Sequence, residues 1–182
     1  MTTVRLATPA DLEAIGACHL DAFGAHDGPE IVELVGLLLK DGAARPRLSL
    51  VAESEGQLVG HILFTAVRVH TSDREIEATI LAPLGIRQAL HGRGIGGLLI
   101  REGLKRLSGT GAELVFVLGH PGYYPSHGFQ PAGALGLQAP HPIPAENADA
   151  WMVQALPPRE LERLDGRVVC TSVLNEAKYW RE

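Results

Sequence analysis

Apolar residues recur along this chain with two periods, and each period predicts a different kind of element. A short strand at residues 3–7 runs into Thr8-Pro9-Ala10-Asp11, which supplies a cap residue, a proline for the first helical position and an acid for the first turn. Leu12, Ile15, Ala17, Cys18 and Ala22 then fall at helical spacing, and Ile31, Leu34, Val35 and Leu38 repeat it in a second helix over residues 29–40 that Asp41-Gly42 ends. Residues 48–53 and 58–64 read as two strands joined through Ser54-Glu55-Gly56-Gln57, an antiparallel hairpin. A further strand begins after Thr71-Ser72-Asp73-Arg74.

The next helix carries Ile95, Leu98, Leu99 and Leu107 on one face and Arg101, Glu102, Lys105 and Arg106 on the other, and Ser108-Gly109-Thr110-Gly111 stops it. The run Leu114-Val115-Phe116-Val117-Leu118 follows as a strand. A strand, a single helix and a strand with short connections form a βαβ unit, so these two strands are expected to lie parallel. Residues 138–144 are proline-rich and read as loop, residues 150–155 as a late strand, and the polar tail holds Asn175 and Tyr179-Trp180. The predicted order is β-α-α-β-β-β-α-β-α-β, with further strand signals toward the C-terminus.

Between the third hairpin strand and the amphipathic helix stands Leu84-Gly85-Ile86-Arg87-Gln88-Ala89-Leu90-His91-Gly92-Arg93-Gly94-Ile95-Gly96-Gly97. Glycines leave no Cβ in the way of a ligand and permit positive φ, so successive N–H groups can converge on an anion. The helix start adds unpaired N–H groups and the positive end of its dipole. Arg93, inside the turn, is expected to close on a second phosphate oxygen. From Gly92 the run also reads G-x-G-x-x-G, a dinucleotide signature that wants an acid about 20 residues on, at the end of the next strand. Glu113 precedes that strand instead of ending it, which is a poor match. No Gly-Lys-Ser/Thr follows, so a Walker loop is excluded.

Read from His91, the same residues resemble the acetyl-CoA signature of the GNAT superfamily of N-acetyltransferases: Gln or Arg, two residues, Gly, one residue, Gly or Ala. Gly94 and Gly96 are in place, with His91 where Gln or Arg is usual. Gly119-His120-Pro121-Gly122-Tyr123-Tyr124-Pro125-Ser126-His127-Gly128-Phe129 is similar to a later segment of the family, in which an aromatic-Tyr pair precedes Gly-Phe. Leu81-Ala82-Pro83-Leu84-Gly85-Ile86 and Val117-Leu118-Gly119-His120-Pro121 most resemble a bacterial branch of the family's acetyltransferases. The resemblance implies a mixed α/β fold: a central sheet, largely antiparallel, with one parallel βαβ unit at the cofactor site and helices on both faces.

It also implies a site. Leu84, Gly85 and Ile86 would bind the pantetheine arm of acetyl-CoA, while His91, Gly92, Arg93, Gly94, Ile95, Gly96 and Gly97 would hold its pyrophosphate. Tyr124 stands four residues before Gly128, where the family places its general acid. A phenol of pKa about 10 stays protonated at neutral pH and can protonate a departing thiolate. The ammonium proton is expected to leave to an ordered water or to a side-chain base, for which the candidates are Glu77, on the strand approaching the turn, and His120, at the end of the next parallel strand. His61, His70 and His127 read as structural histidines, and no His or Cys spacing suggests a metal.

Composition agrees with an enzyme of this kind. The 182 residues suffice for one catalytic domain, with residues 156–182 as an extension packed on it. A hydrophobic share of 46% and a charged share of 20% are ordinary for a globular chain. The net charge of −5 argues against nucleic acid or an anionic membrane as partner. Cys18 and Cys170 read as buried free thiols, and a start without a basic-then-apolar segment reads as cytoplasmic. Acetyl-CoA would be the donor and a small-molecule or peptide amine the acceptor, with a homodimer compatible. The expected activity is acetyl transfer to a primary amine in a ternary complex. The alternative is an acyl-CoA-binding regulatory module without turnover.

Overall fold

The computed structural model describes residues 1–181. Strand β1 (Thr2–Leu6) leads to helix α1 (Leu12–Lys40), then to β2 (Leu48–Ser54), β3 (Gln57–Thr71) and β4 (Glu75–Ile86). Helix α2 (Ile95–Leu107) connects β4 to β5 (Leu114–Leu118). Short strands β6 (Gln130–Pro131) and β7 (Leu137–Gln138) precede β8 (Trp151–Ala155) and β9 (Gly166–Val169). The sheet runs β1-β2-β3-β4-β5-β8-β6, antiparallel except where β4 and β5 lie parallel, as the βαβ reading requires. A second parallel contact, absent from that reading, joins Leu137 and Gln138 of β7 to Gly166 and Arg167 of β9.

The two helices expected before β2 form one helical run broken at Gly24, whose backbone leaves the helical region at φ 76°. Only glycine takes that conformation without strain, so a short break does the work of the predicted connection. The start of α1 is tied down because the Asp11 carboxylate accepts from Thr8 N–H at 2.7 Å and from the Arg5 guanidinium at 2.8 Å. The β2–β3 turn has Glu55 and Gly56 both at positive φ, 52° and 76°, which matches the twist of a two-residue hairpin. Strand β3 continues well past the predicted end at Phe64. Its outer half pairs through Arg68–Thr71 with β9 on the edge that β2 has left.

Alternation along the strands builds two apolar layers. Ile76, Ala78, Ile80, Leu114 and Phe116 face the second half of α1, where Leu34 and Leu38 cover them. Leu81, Val115 and Val117 face the opposite side with Leu99 and Ile100 of α2. On α2 the buried set is Ile95, Leu99, Ile100 and Leu107, with Leu98 only half-buried, a rotation of the predicted face toward Ile100. Of the residues predicted to face inward from the first helix, Ile15 and Cys18 are buried and Leu12 is exposed. The tail is less polar in effect than its sequence suggests. Trp180 is 3% exposed, donates from Nε1 to the Leu174 carbonyl at 2.7 Å, and meets Trp151 edge-on.

The feature that opens the site is local to β4. Its pairing with β3 shifts between Ile62↔Leu84 and Phe64↔Leu81, leaving Ala82 and Pro83 as a bulge. Proline has no N–H to give a ladder, so a bulge is where a strand tolerates it. Pairing with β5 covers only Ala78–Ile80. Beyond that point β4 and β5 diverge, and one edge of β4 faces open space. Among the described residues, no helix is long and apolar enough to cross a membrane.

Candidate functional site

The divergence of β4 and β5 opens a cleft of about 910 Å³. Its walls are the carboxyl-terminal half of β4, the glycine turn, the end of β5 with Tyr123-Tyr124, part of α1 and residues of the C-terminal segment. Leu84, Gly85, Ile86, His91, Gly92, Gly94, Ile95, Gly96, His120 and Tyr124 all reach this one space, as a shared site requires. Arg93 and Gly97 do not line it. Gly97 turns toward His127 and Arg101: a Cβ there would stand 2.8 Å from His127 Cε1 and 3.2 Å from Arg101 Nη1.

The glycine turn is built by backbone. Gly92 and Gly94 sit at φ 76° and 77°, and Gly94 caps α2 in the left-handed region. The first turn of α2 closes with Leu98 N–H on the Gly94 carbonyl at 3.0 Å, so the N–H groups of Ile95, Gly96 and Gly97 precede the helical ladder. Side chains brace the loop from outside. His91 Nε2 donates to the Ile86 carbonyl at 2.7 Å, which fixes the ring across the loop's base. The Arg87 guanidinium donates from Nε to the Leu58 carbonyl at 3.0 Å, and Gln88 N–H donates to the Asp21 carboxylate at 2.7 Å. Asp21 carries no sequence signal for this role, since its partner lies 67 residues away.

Tyr124 begins a short 3-10 turn, Tyr124–His127, beyond the end of β5. The N–H groups of Tyr123 and Tyr124 both donate to the His120 carbonyl, at 3.0 and 3.3 Å, and Gly128 closes the turn at φ 91°. The Tyr124 ring is buried and stands edge-on to Phe129 at 5.6 Å and to Tyr123 at 5.1 Å. His120 is exposed at the mouth of the cleft. Tyr123 is exposed on one side, and partial burial of its ring pushes its phenol pKa up, with the Arg101 charge opposing. Burial lowers His127, and the Arg101 charge lowers it further.

Glu77 lies elsewhere. It is exposed near the start of β4, beside Arg68 at 3.5 Å, and forms no part of the cleft wall. Glu113 is also occupied: its carboxylate accepts from Arg74 at 3.0 Å and from Arg159, tying the start of β5 to the chain after β8. Beneath Gly85 is a buried chain that sequence spacing did not reveal. His19 Nε2 and His61 Nδ1 share a hydrogen bond of 2.7 Å, and His61 Nε2 meets Ser49 Oγ at 2.8 Å. A Cβ on Gly85 would overlap the His19 ring, 2.9 Å from Cε1. Burial lowers His19 to about 4 and, with the nearby His19 charge, His61 to about 3. Cys18 is buried and Cys170 half-buried, both thiols free and raised to about 11 by burial.

A bulged strand splayed from its parallel neighbour, with a glycine-rich helix start and a buried tyrosine on the walls of the cleft between them, is the layout of a CoA-dependent acyltransferase. The sequence model of the acetyltransferase (GNAT) domain matches residues 3–132, and the chain belongs to the GNAT family of N-acetyltransferases. It is 42% identical over 169 residues to the uncharacterized N-acetyltransferase YjhQ of Escherichia coli K12, covering 92% of this chain and 91% of that one. The crystal structure of E. coli YhbS in complex with CoA superposes with a TM-score of 0.81 at 27% identity, over 96% of this chain and 92% of that one. A GNAT family acetyltransferase from Brucella melitensis, in complex with acetyl-CoA, gives 0.72 at 31% identity, over 96% and 98%.

Proposed function

We propose that the chain transfers acetyl from acetyl-CoA to a primary amine by direct attack in a ternary complex, as a single catalytic unit over residues 1–182. The observation that carries this reading is the wedge between β4 and β5, with the glycine turn and Tyr124 on its walls. Complexes of the two related proteins with CoA and acetyl-CoA support the choice of donor.

In this reading the pyrophosphate lies on the N–H groups of the His91–Gly97 stretch, where the α2 dipole favours negative charge. Arg93, exposed in the turn, approaches it from solvent. The pantetheine arm lies along Leu84, Gly85 and Ile86, whose edge away from β3 has no partner strand among the described residues. The neutral amine attacks the thioester carbonyl, and a β4 backbone N–H stabilises the oxyanion. The C–S bond then breaks, the thiolate takes its proton from the Tyr124 phenol, and the phenolate regains a proton as the newly acylated nitrogen gives up its own. The ammonium proton leaves beforehand to His120 or to water at the mouth of the cleft. Glu77 is too far along β4, outside the cleft, to be carried into this mechanism. Among the described residues, no three His, Cys, Asp or Glu side chains form a metal-binding group, and direct transfer asks for none.

The test is thermal unfolding with CoA and acetyl-CoA, followed by turnover on a panel of amines. Ligand at 100 times its dissociation constant adds about 2.7 kcal/mol of stability. Tyr124→Phe should keep that stabilisation and lose roughly 10²- to 10⁴-fold in kcat. No stabilisation by either ligand would overturn the reading. Stabilisation with no turnover on any amine would favour the acyl-CoA-binding module.

A further inference from the structure

Tyr123, the neighbour of the proposed acid, stands in an unusual relation to the glycine turn. Its hydroxyl occupies the space that a Cβ on Gly96 would need, and its Cζ lies 3.5 Å from that position. Leu84 Cδ2 of β4 lies 3.7 Å from the same point. The phenol therefore lies over the first turn of α2, where the N–H groups of Ile95 to Gly97 precede the helical ladder. Its backbone is pinned from both directions. Tyr123 N–H donates to the His120 carbonyl at 3.0 Å, and its own carbonyl accepts from Ser126 Oγ at 2.7 Å. The ring is held edge-on between Tyr124 at 5.1 Å and His127 at 4.8 Å, yet 37% of the residue remains open to solvent and cleft.

We infer that Tyr123 is a cofactor-positioning residue whose hydroxyl, held over Gly96, donates to the phosphate end of CoA and leaves proton transfer to Tyr124. This rests on the proposed acetyl-CoA reading and divides its two adjacent phenols by task. Burial keeps the Tyr123 phenol protonated and so a donor. It also explains a restriction in this chain. The resembled signature accepts Gly or Ala at position 96, whereas here an alanine methyl would collide with the Tyr123 hydroxyl. Phenylalanine at 123 would remove that oxygen and keep the ring.

Calorimetric titration of CoA into wild type, Tyr123→Phe, Gly96→Ala, the double variant and Tyr124→Phe tests this. A hydrogen bond to a charged group is worth about 1.5–3 kcal/mol, so Tyr123→Phe should weaken CoA binding about tenfold or more. Tyr124→Phe should change it less than about twofold. Gly96→Ala should weaken binding more in the wild-type background than in the Tyr123→Phe background, where the collision is relieved. A purely packing role for Tyr123 predicts wild-type affinity in Tyr123→Phe, and that result overturns the inference while leaving the acetyl-CoA reading standing. A wild type that does not bind CoA overturns both. Should Gly96→Ala not fold, the contrast between Tyr123→Phe and Tyr124→Phe decides alone.

Discussion

The ring of Tyr124 lies against the α-carbon of Gly119, so closely that a Cβ on that glycine would stand 3.1 Å from Cδ2 and 3.4 Å from Cζ. Gly119 is the first residue after β5, and its N–H donates to the Ala150 carbonyl at 3.0 Å, so its backbone cannot retreat freely. The tyrosine must move instead. Gly119→Ala is expected to displace the phenol from the cleft and lower kcat roughly 10- to 100-fold, because small misplacements of a catalytic group are costly. CoA binding, measured by thermal shift, should stay near wild type. Unchanged kcat would mean that the position of Tyr124 is not what limits the reaction.

The close approach of Tyr124 to Gly119 also shows where sequence reading reaches its limit. The glycine turn, the α2 face and the Glu55-Gly56 hairpin are written in contiguous residues, and their physical signals are local. Leu84 to Ile86 and Tyr124 fall on one cleft because a βαβ unit fixes the carboxyl ends of two parallel strands at the same edge. What stayed hidden depends on contacts between distant segments. The outer half of β3 alternates buried Val67 and Val69 with exposed Arg68 and His70, and its second partner, β9, follows about a hundred residues later. His19 and His61 meet across 42 residues with no motif to join them. Glu77 shares a strand with the site, yet lies toward the end of β4 opposite the cleft.

Helix α2 lies close to β3 because Gly103 has no side chain. A Cβ there would meet the Phe64 ring, 2.6 Å from Cζ and 3.5 Å from Cδ2, and Phe64 is fully buried. Gly103→Ala trades better helix propensity for overpacking, and in a filled core overpacking wins by about 1–3 kcal/mol. A lowered midpoint in denaturant is expected, with the loss reduced in the Phe64→Leu background. A stabilised Gly103→Ala protein would show that the layer between α2 and the sheet can open without cost.

Trp180 anchors the C-terminal segment to the sheet. It stands edge-on to Trp151 at 5.6 Å, and Trp151 stacks on Phe116 at 5.0 Å, so three rings join the tail to β8 and β5. Tyr179 and Lys178 beside it line the cleft. Trp180→Ala is expected to cost about 3–5 kcal/mol and to raise KM for the amine more than KM for acetyl-CoA, since Trp180 packs in the apolar layer of Leu34 and Ile80 and not in the one that holds Ile95 of the glycine turn. Initial-rate kinetics with each substrate varied would check this, and equal changes in both KM values would remove the tail from acceptor recognition.

The buried histidine pair predicts how stability depends on pH. His19 titrates in the unfolded chain near 6.5 and in the folded protein near 4, because burial disfavours the cation. Between those values the unfolded state binds more protons than the native one, so stability must fall as pH falls. The contribution is fully present above about pH 6.5 and is lost on the way down to pH 4. A shift of that size corresponds to roughly 3 kcal/mol for His19, at about 1.4 kcal/mol per unit. His61, lowered to about 3, steepens the slope in the same direction. Carboxylates titrate mostly lower, so urea unfolding between pH 7 and pH 5 isolates the imidazoles. His19→Phe should flatten that slope, and a wild-type stability that is level across the window would mean that the pair is not held neutral by the fold.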